Sequence, residues 1–334
     1  MKKEQNIKSK KGGVLVVILL IILVIIASVV GFFYYKLSKI EVTPIDKEDL
    51  EVNTKLYDDV SDKVEKKEFD KIVNIALFGS DSRDVNNATA GRSDSIIIAS
   101  INPVKKSIKL ISIPRDSYVN VPGYGYTKIN HSYAYGGEQL TIKTINSNFG
   151  LDISEYVTID FSGLINVINA IGGIELDISI EERDVLNRYL KTSYEITGKQ
   201  YVPMTEYGHV TLNGEQALAH SRDRYVGNDF DRARRQRDVL MAVMNKLSNM
   251  SSSAISSLIS DSFLSEVKTN VNFTDYMGLL TSVLTNKSDY LGNIISVQVP
   301  SEEYGYDKFI DGVYYFGFDK DRAKQDLYTY IYEK

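Results

Sequence analysis

Three strand-like runs between residues 74 and 116 decide the fold of this chain. The runs are NIALF at 74–78, SIIIASI at 95–101 and SIKLISI at 107–113. The segment NPVKK at 102–106 has the length and composition of a hairpin turn between the second run and the third. If neighbouring strands pair antiparallel, the end of the first run, the start of the second and the end of the third share one edge of a sheet.

Charged residues flank the three runs at that edge. Antiparallel pairing would gather Asp81, Arg83, Arg92, Asp94, Arg115 and Asp116, whereas parallel strands would separate them. Arginines beside Asp81 and Asp94 indicate an anion bridged by a hard divalent cation, because Mg²⁺ is typically held by one or two carboxylates and phosphate oxygens. Taken singly, each aspartate is better explained as a turn cap, and only the shared edge favours the metal site.

Arginine is unevenly distributed along the chain. Of the 39 basic residues only 12 are Arg, and six of these lie in residues 222–237. A guanidinium fork matches phosphate or carboxylate in a bidentate way that an ammonium cannot, which favours anion recognition. The alternative is a solvated helix face with i,i+4 ion pairs. The six arginines are Arg222, Arg224, Arg232, Arg234, Arg235 and Arg237.

From about residue 70 onward, strand-like and helix-like patterns alternate without a break in composition, which predicts one α/β domain. Asn213 is a plausible N-cap that opens a helix. The further predicted strands are 156–160, 174–178, 295–299 and 313–318, and the further predicted helices are 161–170, 230–250, 273–284 and 321–332.

Composition excludes several classes of site. The 334 residues contain no Cys, which rules out a disulfide framework, a thiolate zinc site, an iron–sulfur cluster and a cysteine nucleophile. His131, His209 and His220 lack metal-ligand spacing, and we interpret each as a packed or surface residue. The formal net charge of −5 argues against a general nucleic-acid binder.

The N-terminal residues predict a membrane anchor. Residues 1–13 carry five lysines and one glutamate, and residues 14–33 form a run of 20 residues without a charge. A helix of that length spans roughly 30 Å, the thickness of a bilayer core. The run exceeds the apolar region of a signal peptide, and ASVVG at 27–31 is a poor cleavage site, so an uncleaved anchor is favoured over a cleaved leader. The positive-inside rule then predicts a cytoplasmic tail at 1–13, a transmembrane helix at 14–34, a charged stalk at 35–70 and an extracellular domain at 71–334.

Six motifs over about residues 70–250 resemble, in sequence and in order, the LytR-CpsA-Psr family of Gram-positive envelope enzymes. Together they are specific, although any one of them alone is weak. The motifs are NIALFGSDSR (74–83), GRSD (91–94), SIPRD (112–116), KINHSYAYGG (128–137), LNGEQALAHSRDR (212–224) and DFDRARRQ (229–236).

The resemblance implies an α/β fold with a central mixed β-sheet flanked by helices, and an apolar tunnel that holds a polyprenyl chain with its pyrophosphate at the mouth. It implies a phosphotransferase that moves an anionic glycopolymer, teichoic acid or capsular polysaccharide, from a polyprenyl-pyrophosphate carrier onto peptidoglycan. The metal positions, for Mg²⁺ or Mn²⁺, fall on Asp81 and Asp94, and these two residues with Arg83 and Arg115 are the implied catalytic set. The implied pyrophosphate contacts are Arg83, Arg115, Lys128, Arg222, Arg224, Arg232 and Gln236.

Two positions depart from the family pattern. His220 stands where the family often has an aromatic residue, and Asp231 stands where it often has Gly, which adds a negative charge near the implied anion site. The general base is open, with Asp81 and Asp229 as candidates. Other functions also remain open: a polyprenyl-phosphate binding protein without turnover, a pyrophosphatase, or a membrane-bound transcription attenuator, although an outside-facing acidic domain cannot readily reach DNA.

Overall fold

The computed structural model describes residues 42–80, 93–197, 201–223, 225–251, 254, 267–272 and 275–333. The strands within these ranges are β1 (Val73–Ser80), β2 (Ser93–Asn102), β3 (Ser107–Ser112), β4 (Tyr118–Val121), β5 (Gly125–Lys128), β6 (Glu155–Asp160), β7 (Ile174–Ile178), β8 (Gly208–Leu212), β9 (Val267–Thr269), β10 (Ile294–Gln298), β11 (Gly305–Ile310) and β12 (Val313–Phe318). The α-helices are α1 (Leu56–Val60), α2 (Lys66–Phe69), α3 (Ile129–Phe149), α4 (Phe161–Ala170), α5 (Ile180–Thr197), α6 (Gly214–Arg222), α7 (Asp229–Asn249), α8 (Met277–Thr285), α9 (Lys287–Leu291) and α10 (Lys320–Tyr332).

A six-stranded mixed sheet forms the centre of the domain, with the strand order β10-β3-β2-β1-β6-β9. The three runs that open the domain pair antiparallel as predicted, β1 with β2 and β2 with β3. The hairpin turn that was predicted between β2 and β3 is also confirmed. β6 lies parallel to β1 and β10 lies parallel to β3, which makes the sheet mixed, as the family resemblance implied.

The register of these strands brings their polar ends to one edge of the sheet. Ser80 at the end of β1 lies opposite Ser93 at the start of β2 and opposite Asp160 at the end of β6. Ser112 at the end of β3 pairs with Ile97, further along β2. The segment that follows β3 therefore leaves the sheet at the same edge, as the antiparallel arrangement requires.

The pleat of the sheet gives it two different faces. In β1, Ala76 and Phe78 are buried in the main core, while Leu77, between them, points to the other side and is only half-buried. The main core lies between this first face and the helices α3 and α10. A second core forms between α4, α5, α6 and α7 and the hairpin of β7 and β8. The space between the second face of the sheet and α4, α6 and α7 holds the cavity described below.

The sequence predicted most later elements well. The helix at 161–170 and the strands at 174–178 and 313–318 have the predicted bounds. α7 differs from the prediction by one residue at each end, and the final helix α10 begins one residue earlier than predicted. α8 begins at Met277, inside the predicted 273–284, of which residues 273 and 274 lie outside the described ranges.

Part of the predicted stalk packs onto the domain. Leu50, Leu56, Val60 and Val64 are fully buried in the main core, and α1 and α2 lie within this segment. Leu56 and Val60 are four positions apart and share one face of α1, although Lys, Glu and Asp dominate the surrounding composition. Residues between 50 and 69, which the sequence assigned to the stalk, therefore contribute to the main core.

The predicted cytoplasmic tail at 1–13 and the predicted transmembrane helix at 14–34 lie outside the described residues. Within the part of the chain that the structure describes, no helix combines the length and the apolar character needed to cross a bilayer.

Candidate active site

A cavity of about 1030 Å³ lies between the sheet and the helices α4, α6 and α7. This volume is at the upper end of the range for small-molecule sites, so the cavity can accept an extended ligand. Most of its wall is apolar. The sheet contributes Leu77, Ile97, Val157 and Ile159, and the helices contribute Leu164, Val167, Leu218, Val239, Leu240 and Val243.

The end of the cavity at the polar edge of the sheet is cationic. Four cationic side chains and two carboxylates line it, together with Asn130, His131, Ser221 and the amide of Gln236. An excess of positive charge beside an apolar wall suits a ligand that has an anionic head and a hydrocarbon tail. The charged residues are Arg115, Lys128, Arg222, Arg232, Asp116 and Asp160.

One face of α7 contributes to both the cationic end and the apolar part of the cavity wall. Arg232 and Gln236, one turn apart, line the cationic end, and Val239, Leu240 and Val243 line the apolar part. The 11 steps from Arg232 to Val243 correspond to about 16 Å of helix. The cavity therefore changes from polar to apolar over about 16 Å along α7.

Asp116 contacts two of the cationic side chains at this end of the cavity. Its Oδ1 lies 2.7 Å from Nζ of Lys128, and its Oδ2 accepts a hydrogen bond of 3.3 Å from Nε of Arg115. Burial by itself would raise the pKa of Asp116, but the Lys128 ammonium and the Arg115 guanidinium outweigh it, so the pKa lies below its usual value. Asp116 thus stays ionised and holds two cations at the cavity wall.

Asp229 joins two of the guanidinium groups at the start of α7. Its Oδ1 lies 3.2 Å from Nη1 of Arg232 and 3.8 Å from Nη2 of Arg115. Because Asp229 is in the first turn of α7, the helix dipole also stabilises its negative charge. Arg222 reaches the cavity from the end of α6, where its guanidinium lies 4.6 Å from the centre of the Phe161 ring. Three arginines from different parts of the chain therefore converge on this end.

Two other arginines of the cluster, Arg235 and Arg237, have structural contacts instead. Nη2 of the buried Arg235 donates to the carbonyl oxygens of Asp223 and Val226, each at 2.9 Å, and so fixes the loop between α6 and α7. Arg237 donates to the hydroxyls of Ser112 and Ser296, which ties α7 to β3 and β10. Only some members of the cluster therefore line the cavity, and for these anion recognition stays a prediction.

Asp231 does not line the cavity, although its departure from the family pattern implied an additional negative charge near the anion site. Its Oδ2 accepts a hydrogen bond of 2.9 Å from the backbone N–H of Asn228, whose side chain in turn caps the first turn of α7. Oδ1 of Asp231 lies 3.5 Å from Arg234. Gly227 makes room for this capping box, since a Cβ on Gly227 would lie 2.1 Å from Oδ2 of Asp231. The additional carboxylate thus belongs to the N-terminal cap of α7 and is not part of the cavity wall.

The structure brings together five of the residues that the sequence proposed for the pyrophosphate site: Arg115, Lys128, Arg222, Arg232 and Gln236. Asp81, Arg83 and Arg224 lie outside the described residues, as does the side chain of Asp94, whose backbone belongs to β2.

The backbone register bears on the implied metal site. Ser80 and Ser93 pair with each other, and they directly precede Asp81 and Asp94 in sequence. Carboxylate oxygens are donors of the kind that Mg²⁺ and Mn²⁺ prefer, as the metal positions implied for Asp81 and Asp94 require. Among the side chains that the structure describes, no group of three or more His, Asp or Glu residues could hold a metal ion.

The sequence reasoning missed several residues of the cavity wall. Asn130 and His131 line the cationic end, although neither was proposed as a site residue. Both belong to the motif KINHSYAYGG, from which only Lys128 was taken, so the motif itself contained the signal. Asp160 also lines the cavity while its Oδ1 accepts from the N–H of Gly163 and caps α4.

A cationic sheet edge that opens on an apolar cavity defines a site for an amphiphilic anion. Comparison with known proteins agrees: the model of the LytR-CpsA-Psr family (LytR_cpsA_psr) matches residues 34–330. The chain belongs to this family.

Two of the similar proteins are both named as polyisoprenyl-teichoic acid–peptidoglycan teichoic acid transferases. The chain is 33% identical over 264 residues to the polyisoprenyl-teichoic acid–peptidoglycan teichoic acid transferase TagT of Bacillus subtilis, covering 78% of this chain and 77% of the relative. It is 31% identical over 271 residues to the corresponding transferase TagU of Bacillus anthracis, covering 80% of each chain.

Solved structures of similar proteins share the fold. A structure of TagT bound to LIIa-WTA superimposes with a TM-score of 0.62 at 30% identity, covering 78% of this chain and 89% of the other. TagT with a bound octaprenyl pyrophosphate lipid superimposes with a TM-score of 0.58 at 27% identity, covering 78% and 90%.

Proposed function

We propose that this protein is a phosphotransferase that moves an anionic glycopolymer, with wall teichoic acid as the first candidate, from a polyprenyl-pyrophosphate carrier onto peptidoglycan. The observation that carries the proposal is a single cavity that joins three converging arginines to an apolar interior. The names of the relatives support the choice of polymer and acceptor, and the octaprenyl pyrophosphate bound to TagT supports the choice of carrier.

In the proposed reaction, a sugar hydroxyl of peptidoglycan attacks the phosphorus next to the first sugar of the polymer. A new P–O bond forms, the bond from that phosphorus to the bridging oxygen breaks, and polyprenyl phosphate leaves. Arg115, Arg222 and Arg232 are placed to bind the non-bridging and leaving oxygens, where fixed positive charge lowers the barrier most. The apolar wall holds the hydrocarbon chain, and so aligns the diphosphate with these guanidinium groups.

Two further components belong to the proposal. Asp81 and Asp94 would hold Mg²⁺ or Mn²⁺, and the bound ion would neutralise additional charge on the diphosphate. Asp229, which lies beside Arg115 and Arg232, is a candidate to accept the proton of the attacking hydroxyl, and Asp81 is the alternative. The uncleaved anchor at 14–34 would keep the domain on the outer face of the membrane, where both carrier and acceptor are found.

The test is transfer by the purified full-length protein in lipid vesicles, with a radiolabelled polymer on a polyprenyl-pyrophosphate carrier and isolated peptidoglycan. We expect label on the glycan and an equal amount of polyprenyl phosphate. Release of polymer to water would instead identify a pyrophosphatase, and absence of polyprenyl phosphate would identify a binding protein without turnover.

A matched pair of variants makes this assay specific for the site. Arg232→Lys removes a fork from the cavity wall, and we expect transfer to fall at least about tenfold. Arg234→Lys changes the same residue type two positions away, where the side chain is 55% exposed and pairs with Asp231 and Asp238. Wild-type transfer by Arg232→Lys would contradict the assignment of the site.

A further inference from the structure

A cluster of tyrosines lies beside the cationic end of the cavity, on the hairpin of β4 and β5, on α3 and on β12. We propose that this surface binds the acceptor, a glycan strand that carries carboxylates, and presents its hydroxyl to the phosphate site. The proposal rests on the proposed function, because it assigns a place to the acceptor of that reaction. The surface, called the tyrosine surface below, consists of Tyr118, Tyr124, Tyr126, Tyr135, Tyr315 and Lys308.

Three of the five rings are exposed, those of Tyr124, Tyr126 and Tyr135, while the other two are half-buried, and the rings pack against one another. Tyr124 is 57% exposed and stacks on Tyr135, which is 43% exposed, with ring centres 4.5 Å apart and planes 19° apart. Tyr118 packs between Tyr126 and Tyr315, with ring centres 5.4 and 5.1 Å away. Mutual packing fixes the rings before a ligand arrives, which reduces the entropy lost on binding.

Positive charges accompany the rings. Nζ of Lys308 lies 4.1 Å from the centre of the Tyr118 ring, and Nζ of Lys320 lies 4.5 Å from the centre of the Tyr126 ring. These ammonium groups remain near the surface, so they can meet carboxylates of a ligand that lies on the rings.

The tyrosine surface is continuous with the wall of the cavity. His131, which lines the cationic end, lies 5.9 Å from the ring of Tyr135. Lys128 lines the same end, and its Nζ is 5.7 Å from the centre of the Tyr315 ring and 2.7 Å from Oδ1 of Asp116. A polymer lying on the tyrosines would therefore reach the phosphate site without a gap.

The chemistry of the surface suits a glycan better than the hydrocarbon of a lipid. A sugar ring has an apolar C–H face and an equatorial set of hydroxyls, and tyrosine offers an apolar ring with a hydroxyl at its end. The exposed side chains in the tyrosine surface are tyrosine rings, each with a hydroxyl at its tip.

The position of the surface in the fold also argues against contact with the membrane. The described chain enters the domain at Val42, which pairs with Thr269 in β9 at one edge of the sheet. The tyrosine surface follows β3, where Ser117 pairs with Phe316 of β12. β3 is four strands from β9, roughly 19 Å at the usual spacing between strands. The point where the described chain enters the domain thus lies four strands away from the strand that leads into the tyrosine surface.

The test compares the double variant Tyr124→Ala, Tyr126→Ala with the control Tyr207→Ala in the full-length protein. Tyr207 is 58% exposed, as the two tyrosines of the surface are, but it packs on Arg183, away from the cavity wall. Uncrosslinked peptidoglycan strands are varied at a fixed concentration of the lipid-linked polymer. We expect the double variant to raise the KM for the strands about tenfold, with the KM for the carrier and the kcat at saturating strands unchanged, and we expect the control to behave as the wild type.

Two further measurements distinguish a failure of this proposal from a failure of the proposed function. Sedimentation of the protein with insoluble peptidoglycan measures acceptor binding without turnover, so it decides the role of the surface even if the wild type transfers no polymer. An unchanged KM and unchanged sedimentation of the double variant would overturn the proposal. Weaker binding of the double variant to vesicles of anionic phospholipid, with sedimentation unchanged, would also overturn it and would assign the surface to the membrane.

Discussion

Leu240→Asn tests whether the apolar part of the cavity binds the hydrocarbon chain. Leu240 lies on α7 two turns beyond Arg232, and it faces the cavity together with Val239 and Val243. Asparagine has nearly the shape of leucine, and its amide can be hydrated while the cavity contains water. A bound chain would remove that water and leave the amide without partners, at a cost of about 1–3 kcal/mol. The expected loss of affinity for polyprenyl phosphate is therefore roughly 5- to 150-fold.

The assay is titration of the purified protein with a fluorescent polyprenyl phosphate, in parallel with a soluble diphosphate that has no hydrocarbon chain. Affinity for the soluble diphosphate should not change, since Arg232 and Arg115 are untouched. Leu240→Met keeps the volume and the apolar character, so it should bind the lipid as the wild type does. Equal affinity of Leu240→Asn and wild type for the lipid would refute the assignment of the chain to this cavity.

Three other outcomes are expected. Arg115→Lys should reduce transfer almost as much as Arg115→Ala, by about 10²–10³ in kcat, because an ammonium cannot replace a fork held by Asp116; wild-type activity of the lysine variant would refute this. Arg235→Met should lower the free energy of unfolding by about 3–5 kcal/mol in urea titrations, since two carbonyl oxygens and Glu182 lose their buried partner. Burial lowers the pKa of His220 from 6.5 to about 4, so the unfolded chain takes up a proton between pH 6.5 and pH 4 that the folded protein does not. Stability should therefore fall by up to about 3 kcal/mol as the pH falls through that window, and His220→Phe should remove this part of the pH dependence in unfolding experiments.

The sheet could be read from the sequence because its signals are local. Alternating apolar runs with a turn of hairpin length fixed β1, β2 and β3, and strand polarity alone placed Arg115 and Asp116 at the active edge. The cap of α6 was equally accessible, since Asn213 accepts from the N–H of Gln216 and the Gln216 side chain accepts in return. Each of these features depends on residues that are close in sequence.

The features that were missed depend on contacts between distant residues. α3 has no clear amphipathic period, and it bends at Gly136 and Gly137, where Gly137 has φ +61°, so its 21 residues gave no helical pattern. The different contacts of the individual arginines could not be predicted from the sequence either. Arg232 lines the cavity and Arg235 fixes a loop, although the two are three positions apart on one helix. Only the packing of α7 between the sheet and α6 distinguishes them.

The position of the carrier lipid in a crystal of this protein tests the central claim most directly. Crystals grown with a polyprenyl pyrophosphate should show the diphosphate among Arg115, Arg222 and Arg232, with the hydrocarbon chain running between the sheet and α7 past Leu240. A diphosphate bound away from these three arginines, or a chain outside the apolar cavity, would contradict the account.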